Sequence, residues 1–184
     1  MQIKFIDQPI HYDGSQLAPH WIYQTFDLPG NTAVAFLGGC NVLPERMVDL
    51  ADRKAGYRIF SESMLHLIAE FFDTDLTRTI LLQRLLVSLA QQEIMFRGKC
   101  FLIRAGNDLF EGDEKLSVSV ATASPVSTLI HFGVNISSKN TPVKTKGLAD
   151  YGIEPAVFAR TLLETFKHEV ESLAVARSKV KAVL

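Results

Sequence analysis

Cysteine is almost absent from this chain: Cys40 and Cys100 are the whole complement, too few and too far apart for a disulfide framework or a CxxC metal knuckle. Both read first as buried, reduced thiols. No apolar run approaches the roughly 20 residues that span a bilayer, and Met1-Gln2-Ile3-Lys4-Phe5-Ile6-Asp7 carries charges where a signal peptide needs an apolar core. A cytoplasmic protein without membrane contact is therefore expected. An excess of either charge is missing as well. The formal net charge of -1 gives no general attraction to nucleic acid, which is not expected as a partner. Repeats, low-complexity tracts and Gly/Ser-rich linkers are also missing, so residues 1–184 read as one domain.

What is present suffices for a sizeable core. With 47% hydrophobic residues among 184, a chain of this length buries about two-thirds or more of its unfolded surface. Short apolar stretches predict strands at Ile3 to Ile6 and, after the turn-forming Pro29-Gly30-Asn31, at Thr32 to Leu37. Between them Ser15 to Phe26 predicts a helix with Trp21, Ile22 and Phe26 inward, although Pro19 falls in its first turns. Ser61 suits an N-cap, Phe60 and Leu65 suit a hydrophobic staple, and Leu65, Ile68, Ala69 and Phe72 recur at spacings of three and four. That pattern predicts a helix from Ser61 to about Phe72, and Leu82, Leu85, Leu86 and Leu89 predict another. From Lys99 to the loop Ser138-Lys139-Asn140-Thr141-Pro142 the period changes to two, which predicts a block of strands. A last helix opens at Pro155, with Phe158, Leu162, Phe166, Val170 and Leu173 in one stripe before the basic tail Arg177, Lys179, Lys181. Strands, helices, strands and helix in that order predict an α+β fold, a largely antiparallel mixed sheet with its helices gathered on one side.

The strand block has an unusual face. Alternation puts Leu116, Val118 and Val120 on one side and Lys115, Ser117 and Ser119 on the other. The next strand divides Ile130, Phe132, Val134 and Ile136 from His131, Gly133, Asn135 and Ser137 in the same manner. The apolar sets belong to the core. The other sets gather small polar groups around one lysine, where a solvated face commonly carries Thr, Lys, Glu and Arg. Two readings follow. A loop or a second copy of the chain covers these groups, as in a non-catalytic assembly module or homodimer, with the polar atoms hydrogen-bonded inside. Alternatively they line a cleft for a small-molecule ligand. There Lys115 meets an anionic group, Ser117, Ser119 and Asn135 supply hydrogen bonds, and Gly133 allows close backbone approach.

Other groups invite weaker readings. His131 on the polar face is a candidate acid or base because an ordinary imidazole titrates near neutrality, against the plainer reading of a satisfied core histidine. Asp13-Gly14-Ser15 reads as a turn into a helix N-terminus, where Ser15 could help to hold an anion. Asp49, Asp52, Glu62 and His66 suggest a metal, but Glu62 and His66 at i and i+4 lack a third ligand with recognisable spacing, so no metal site is assigned.

Asn107-Asp108-Leu109 followed by Lys115-Leu116 resembles the Asn-Asp-Leu…Gly-Arg-Lys-Leu/Ile hairpin of biotin and lipoyl protein ligases, and Gly133-Val134-Asn135-Ile136 resembles their Gly-Ile-Asn-Val strand. The resemblance implies their fold, a mixed antiparallel sheet with flanking helices, related to class II aminoacyl-tRNA synthetases. It implies for Lys115 a contact with the carboxylate or acyl-phosphate of an acyl-adenylate, and for Asn107 and Asp108 places near nucleotide or metal. By the same likeness Cys40 is a candidate nucleophile beside Lys115, as in acyltransferases of the superfamily. Gly38-Gly39-Cys40 holds the only double glycine and has no adjacent arginine, so no phosphate loop is found. A nucleotide cofactor stays open, and a transferase is favoured over an ATP-dependent ligase. Taken whole, the chain resembles a prokaryotic family of unknown function, domain of unknown function 366. Tyr12-Asp13-Gly14-Ser15-Gln16-Leu17, Met47-Val48-Asp49, Met64-Leu65-His66 and Lys115-Leu116-Ser117-Val118-Ser119 carry that likeness. The expected function is that of a small-molecule enzyme or binding protein acting on a carboxylate or acyl group at a Lys115-centred cleft.

Overall fold

The computed structural model describes residues 1–183. Along the chain come β1 (Gln2–Ile6), α1 (Trp21–Phe26), β2 (Thr32–Val42), α2 (Leu50–Ala55), β3 (Ile59–Phe71), α3 (Leu76–Gly98), β4 (Ile103–Ala105), β5 (Asp108–Glu111), β6 (Glu114–Lys115), β7 (Ser117–Ala123), β8 (Thr128–Asn135) and α4 (Pro155–Ser178). A sheet in the order β1-β2-β3-β8-β7 forms the centre, beside a small sheet β4-β5-β6. The β1–β2 pair is parallel and the other pairs of the large sheet are antiparallel. The architecture is the mixed α+β arrangement that the order of elements predicts.

The stretch from Ser61 to Phe72 is not a helix: it is most of β3, the middle strand of the sheet. Leu65, Leu67, Ala69 and Phe71 join the core under the long helices, while Met64 and Ile68 join a second core on the opposite face. A strand buried on both faces has no polar side to alternate with, so its apolar run imitates helical spacing. Glu62 and His66 therefore stand four positions apart on an extended strand, about 13 Å, and cannot chelate as they would on a helix.

Helices α3 and α4 pack on one face of the sheet. Leu82, Leu86, Ala90 and Ile94 of α3 and Phe158, Leu162 and Phe166 of α4 meet Ala33, Ala35, Ile130 and Phe132 there. Asp75 caps α3 by accepting from the Arg78 N–H at 2.9 Å. Glu154 caps α4 through the Ala156 and Val157 N–H groups, and Pro155 takes the first position, where its missing donor costs nothing. The α4 stripe ends early, since Leu173 is 43% exposed.

The other face carries only short elements. Helix α1 is confined to Trp21–Phe26, because residues 15–20 form turns and His20 takes a left-handed conformation at φ 64°. Ser15 is thus not at a helix N-terminus; its hydroxyl and N–H both bind Asp13 Oδ1, at 2.5 and 3.0 Å. The segment Ile10–Tyr12 runs beside β2, with Ile10 N–H donating to Leu37 O and Tyr12 N–H to Gly39 O. A Cβ on Gly38 would lie 1.9 Å from the Ile10 carbonyl oxygen. The double glycine therefore serves a backbone crossing, and that crossing sets Tyr12 over the middle of the sheet.

Candidate functional site

A cleft of about 660 Å³ opens on the face away from α3 and α4, within the range typical of small-molecule sites. Its polar end is built by Lys115, which closes β6 and is fixed by the strand-like passage of residues 144–146: the Lys115 N–H donates to Lys144 O at 3.0 Å and its carbonyl accepts from Lys146 N–H at 3.2 Å. Lys115 Nζ lies 2.7 Å from Asp108 Oδ2, the two side chains 31% and 25% exposed. Burial raises the Asp108 carboxyl above its ordinary range and the ammonium of Lys115 opposes that rise. Asn135, at the end of β8, is anchored by its N–H to Leu116 O at 3.0 Å and borders the same end.

Two arginines that the sequence reading did not single out join Lys115 in the cleft wall. Arg46 pairs with Asp13 at 3.3 Å, and Arg58 donates to Asn41 Oδ1 at 2.8 Å with its guanidinium over the Phe60 ring. Both lie in the connection from β2 to β3, which also carries Arg53 and Lys54. The clustering of cations between Arg46 and Arg58 was the available signal. Interleaved aspartates hid it, together with the misreading of β3 as a helix.

The apolar end of the cleft lies over β3, β8 and β7, where Tyr12, Met64 and Val118 meet His131. The His131 ring stacks on Tyr12 at 3.9 Å between centroids and 8° between planes. Its Nε2 lies 3.1 Å from Nδ1 of His66, behind it on β3. Phe36 in turn stacks on His66. Burial pulls the His131 pKa down to about 3. Burial, and then His131, likewise hold His66 well below the ordinary imidazole range. Between the two readings of His131, this burial fits the core histidine and not an acid or base near neutrality: dry packing disfavours the imidazolium of both rings.

Ser117 and Ser119 do not share a face with His131 and Asn135. In the β7–β8 register Ser117 opposes Val134 and Ser119 opposes Phe132, so their side chains turn toward α3, while Val118 and Val120 oppose Gly133 and His131 on the cleft side. Leu116, between β6 and β7, also joins the helix-side core. Alternation therefore slips by one residue there. The Ser117 hydroxyl accepts from Leu109 N–H at 3.0 Å, and that of Ser119 donates to His131 O and accepts from Gln83 Nε2, both at 2.9 Å. Both serines border the cleft with their hydroxyls engaged elsewhere.

Other expected site residues are also placed elsewhere. Gly133 makes room for a protein neighbour, since a Cβ there would lie 2.6 Å from Met64 Sδ. Asn107 occupies the turn between β4 and β5, its Oδ1 3.4 Å from Arg84 Nε. Cys40 is wholly buried in the second core and burial pushes its thiol up to about 12, so it offers no thiolate to a ligand. Asp49 and Asp52 line the cleft, but Asp49 is committed to capping α2 through the Ala51 and Asp52 N–H groups.

Comparisons with known proteins complete the description. A family model described as Domain of unknown function (DUF366) matches residues 1–181. The chain is 39% identical over 160 residues to Uncharacterized protein MJ0805 of Methanocaldococcus jannaschii, a match that covers 84% of this chain and 72% of that protein. Among solved structures, a protein of unknown function from Pyrococcus horikoshi superposes with TM-score 0.92 at 33% identity, over 100% of this chain and 99% of that one. The biotin protein ligase of Aquifex aeolicus, solved in complex with biotin and ATP, superposes with TM-score 0.61 at 11% identity, over 92% of this chain and 70% of that one. The last likeness is one of fold. Among the described residues no helix is long and apolar enough to cross a membrane.

Proposed function

Because the chain belongs to the family Domain of unknown function (DUF366) and has the fold of biotin and lipoate protein ligases, we propose that its cleft binds an acyl compound or carboxylic acid for acyl or carboxylate transfer. The observation that carries this reading is the partly exposed Lys115 at the polar end of the cleft, whose one ion-pair partner among the described residues is Asp108. An ammonium that shares one carboxylate keeps donors free for a second anion, and the carboxylate of a ligand takes that place. Asp108 holds the Lys115 ammonium at 2.7 Å and so reduces the cost of ordering the long side chain on binding.

Arg46 and Arg58 suit a second anionic group, such as the phosphates of a nucleotide, brought against the β2–β3 connection. Cys40, whose thiol is buried and held protonated, does not serve as the acyl acceptor. Thermal-shift titrations with biotin, lipoate, octanoate and ATP test the reading. At least one acid should stabilise the wild type and lose that effect in Lys115→Ala. Stabilisation by none of them, or equal stabilisation of the variant, would remove the proposal.

A further inference from the structure

Tyr12 is a tyrosine where packing alone asks for a phenylalanine. It is 3% exposed, and its ring lies flat on His131 with 3.9 Å between centroids and 8° between planes. Its backbone is tied to β2 through the Tyr12 N–H to Gly39 O and the Asn41 N–H to Tyr12 O, both at 2.9 Å. Ring and backbone are therefore held before any ligand arrives. A buried tyrosine hydroxyl usually finds a partner inside the protein, because an unmade hydrogen bond costs free energy. This one makes no hydrogen bond among the described residues, yet it is not an enclosed orphan; the side-chain atom in that condition is His66 Nε2. The Tyr12 hydroxyl thus keeps open surface, and the space that Tyr12 borders is the cleft. An ordinary phenol titrates near pH 10 and burial raises this one further, so at neutral pH the hydroxyl carries its proton and donates. Its neighbours at this end of the cleft leave that proton free. Met64 and Val118 are apolar, His131 lies face to face with the ring and not in its plane, and the Ser119 hydroxyl is bound to His131 O and Gln83.

We propose that the Tyr12 hydroxyl is a ligand-binding donor that selects acids carrying an oxygen acceptor, such as a carbonyl, within their apolar portion. The proposal rests on the carboxylate-binding reading of the same cleft. Asn135, at the Lys115 end, and His131, against Tyr12, are four residues apart on β8, about 13 Å at the usual rise of a strand. The ligand class is thus an elongated acid whose acceptor lies several carbons from its carboxylate, with Met64 and Val118 against the apolar stretch between.

Titration of the protein with decanoate and with 5-, 7- and 9-oxodecanoate tests selection, because a ketone accepts a hydrogen bond but cannot donate one. At least one oxo acid should bind the wild type roughly three- to tenfold more tightly than decanoate. Tyr12→Phe should erase that preference and leave the affinity for decanoate unchanged. Persistence of the preference in the variant would assign it to another donor and overturn the proposal. Melting curves without ligand read the same hydroxyl independently: Tyr12→Phe should melt no lower than the wild type, since no bond within the protein is lost. A fall of about 2–4 °C, which the loss of one intramolecular hydrogen bond causes in a chain of this size, would place the partner inside the protein and overturn the proposal as well. Equal affinity for decanoate and all its oxo forms, with Lys115-dependent binding intact, would sink the role of Tyr12 alone. Failure of the wild type to bind any of these acids would sink the carboxylate reading and this selection with it.

Discussion

The two faces of the central sheet are built from the same strands yet obey different rules. On the helix side Leu65, Leu67, Ile130, Phe132 and Val134 are wholly apolar and closed by α3 and α4. On the cleft side the same two strands present His66 and His131 beside Met64 and Gly133, under loops that leave a cavity of about 660 Å³. A dense apolar layer tolerates no vacancy. The second face stays open, and its buried polar atoms need not find all their partners within the chain. His66 Nε2 is the orphaned side-chain atom among the described residues, and it lies on that face.

The contrast can be broken most sharply from the helix side. Phe132→Ala should cost about 3–5 kcal/mol, because a fully buried ring leaves a cavity that flanking helices cannot fill; chemical denaturation measures the loss. Gly133→Ala, one position along on the cleft face, should cost about 1–3 kcal/mol through the contact with Met64. Met64→Ala in the same chain should relieve the clash, so the double variant should lose less than the sum of the two single changes.

Acid separates the faces next. The folded His131 pKa of about 3 is below its ordinary value of 6.5, and His66 is displaced in the same direction. The stability this contributes is fully present above pH 6.5 and falls as pH drops from 6.5 toward 3, since the unfolded chain binds the protons first. Each ring adds up to about 1.4 kcal/mol per pH unit. Melting temperatures between pH 7 and 5 should therefore decline, and His131→Phe should flatten the decline; an unchanged slope would show that the rings are solvated. The smallest effect belongs to Lys115→Ala, which should alter stability by less than about 1 kcal/mol because its ion pair is partly exposed, although ligand binding should be lost.

How far the sequence could be read depended on which face a residue served. Strands β1 and β2 were visible as short apolar stretches bounded by turn residues, the strand block by its period of two, and the long helices by spacings of three and four. Strand β3 was not, because its apolar residues happen to recur at helical spacings behind a serine that suits an N-cap. Ser117 and Ser119 were assigned to the wrong face for a different reason: Leu116 interrupts the strand, and one slipped residue inverts everything after it. Lys115 and Asp108 were legible as residues of one cleft through the ligase-like hairpin, but their ion pair at 2.7 Å was not.

The sequence by itself determined the α+β class, the start of α4 at Pro155 and the apolar stripes of α3 and α4, because these depend on residues close together along the chain. It also held Lys115 in its hairpin. Only the tertiary structure decided that His66 and His131, 65 positions apart, share a hydrogen bond, that Tyr12 seals one of them, and that Arg46 and Arg58 reach the cleft of Lys115. Those placements follow from strand order and register. No local pattern encodes them, since the pairing of β3 with β8 is settled only when both apolar faces are buried at once.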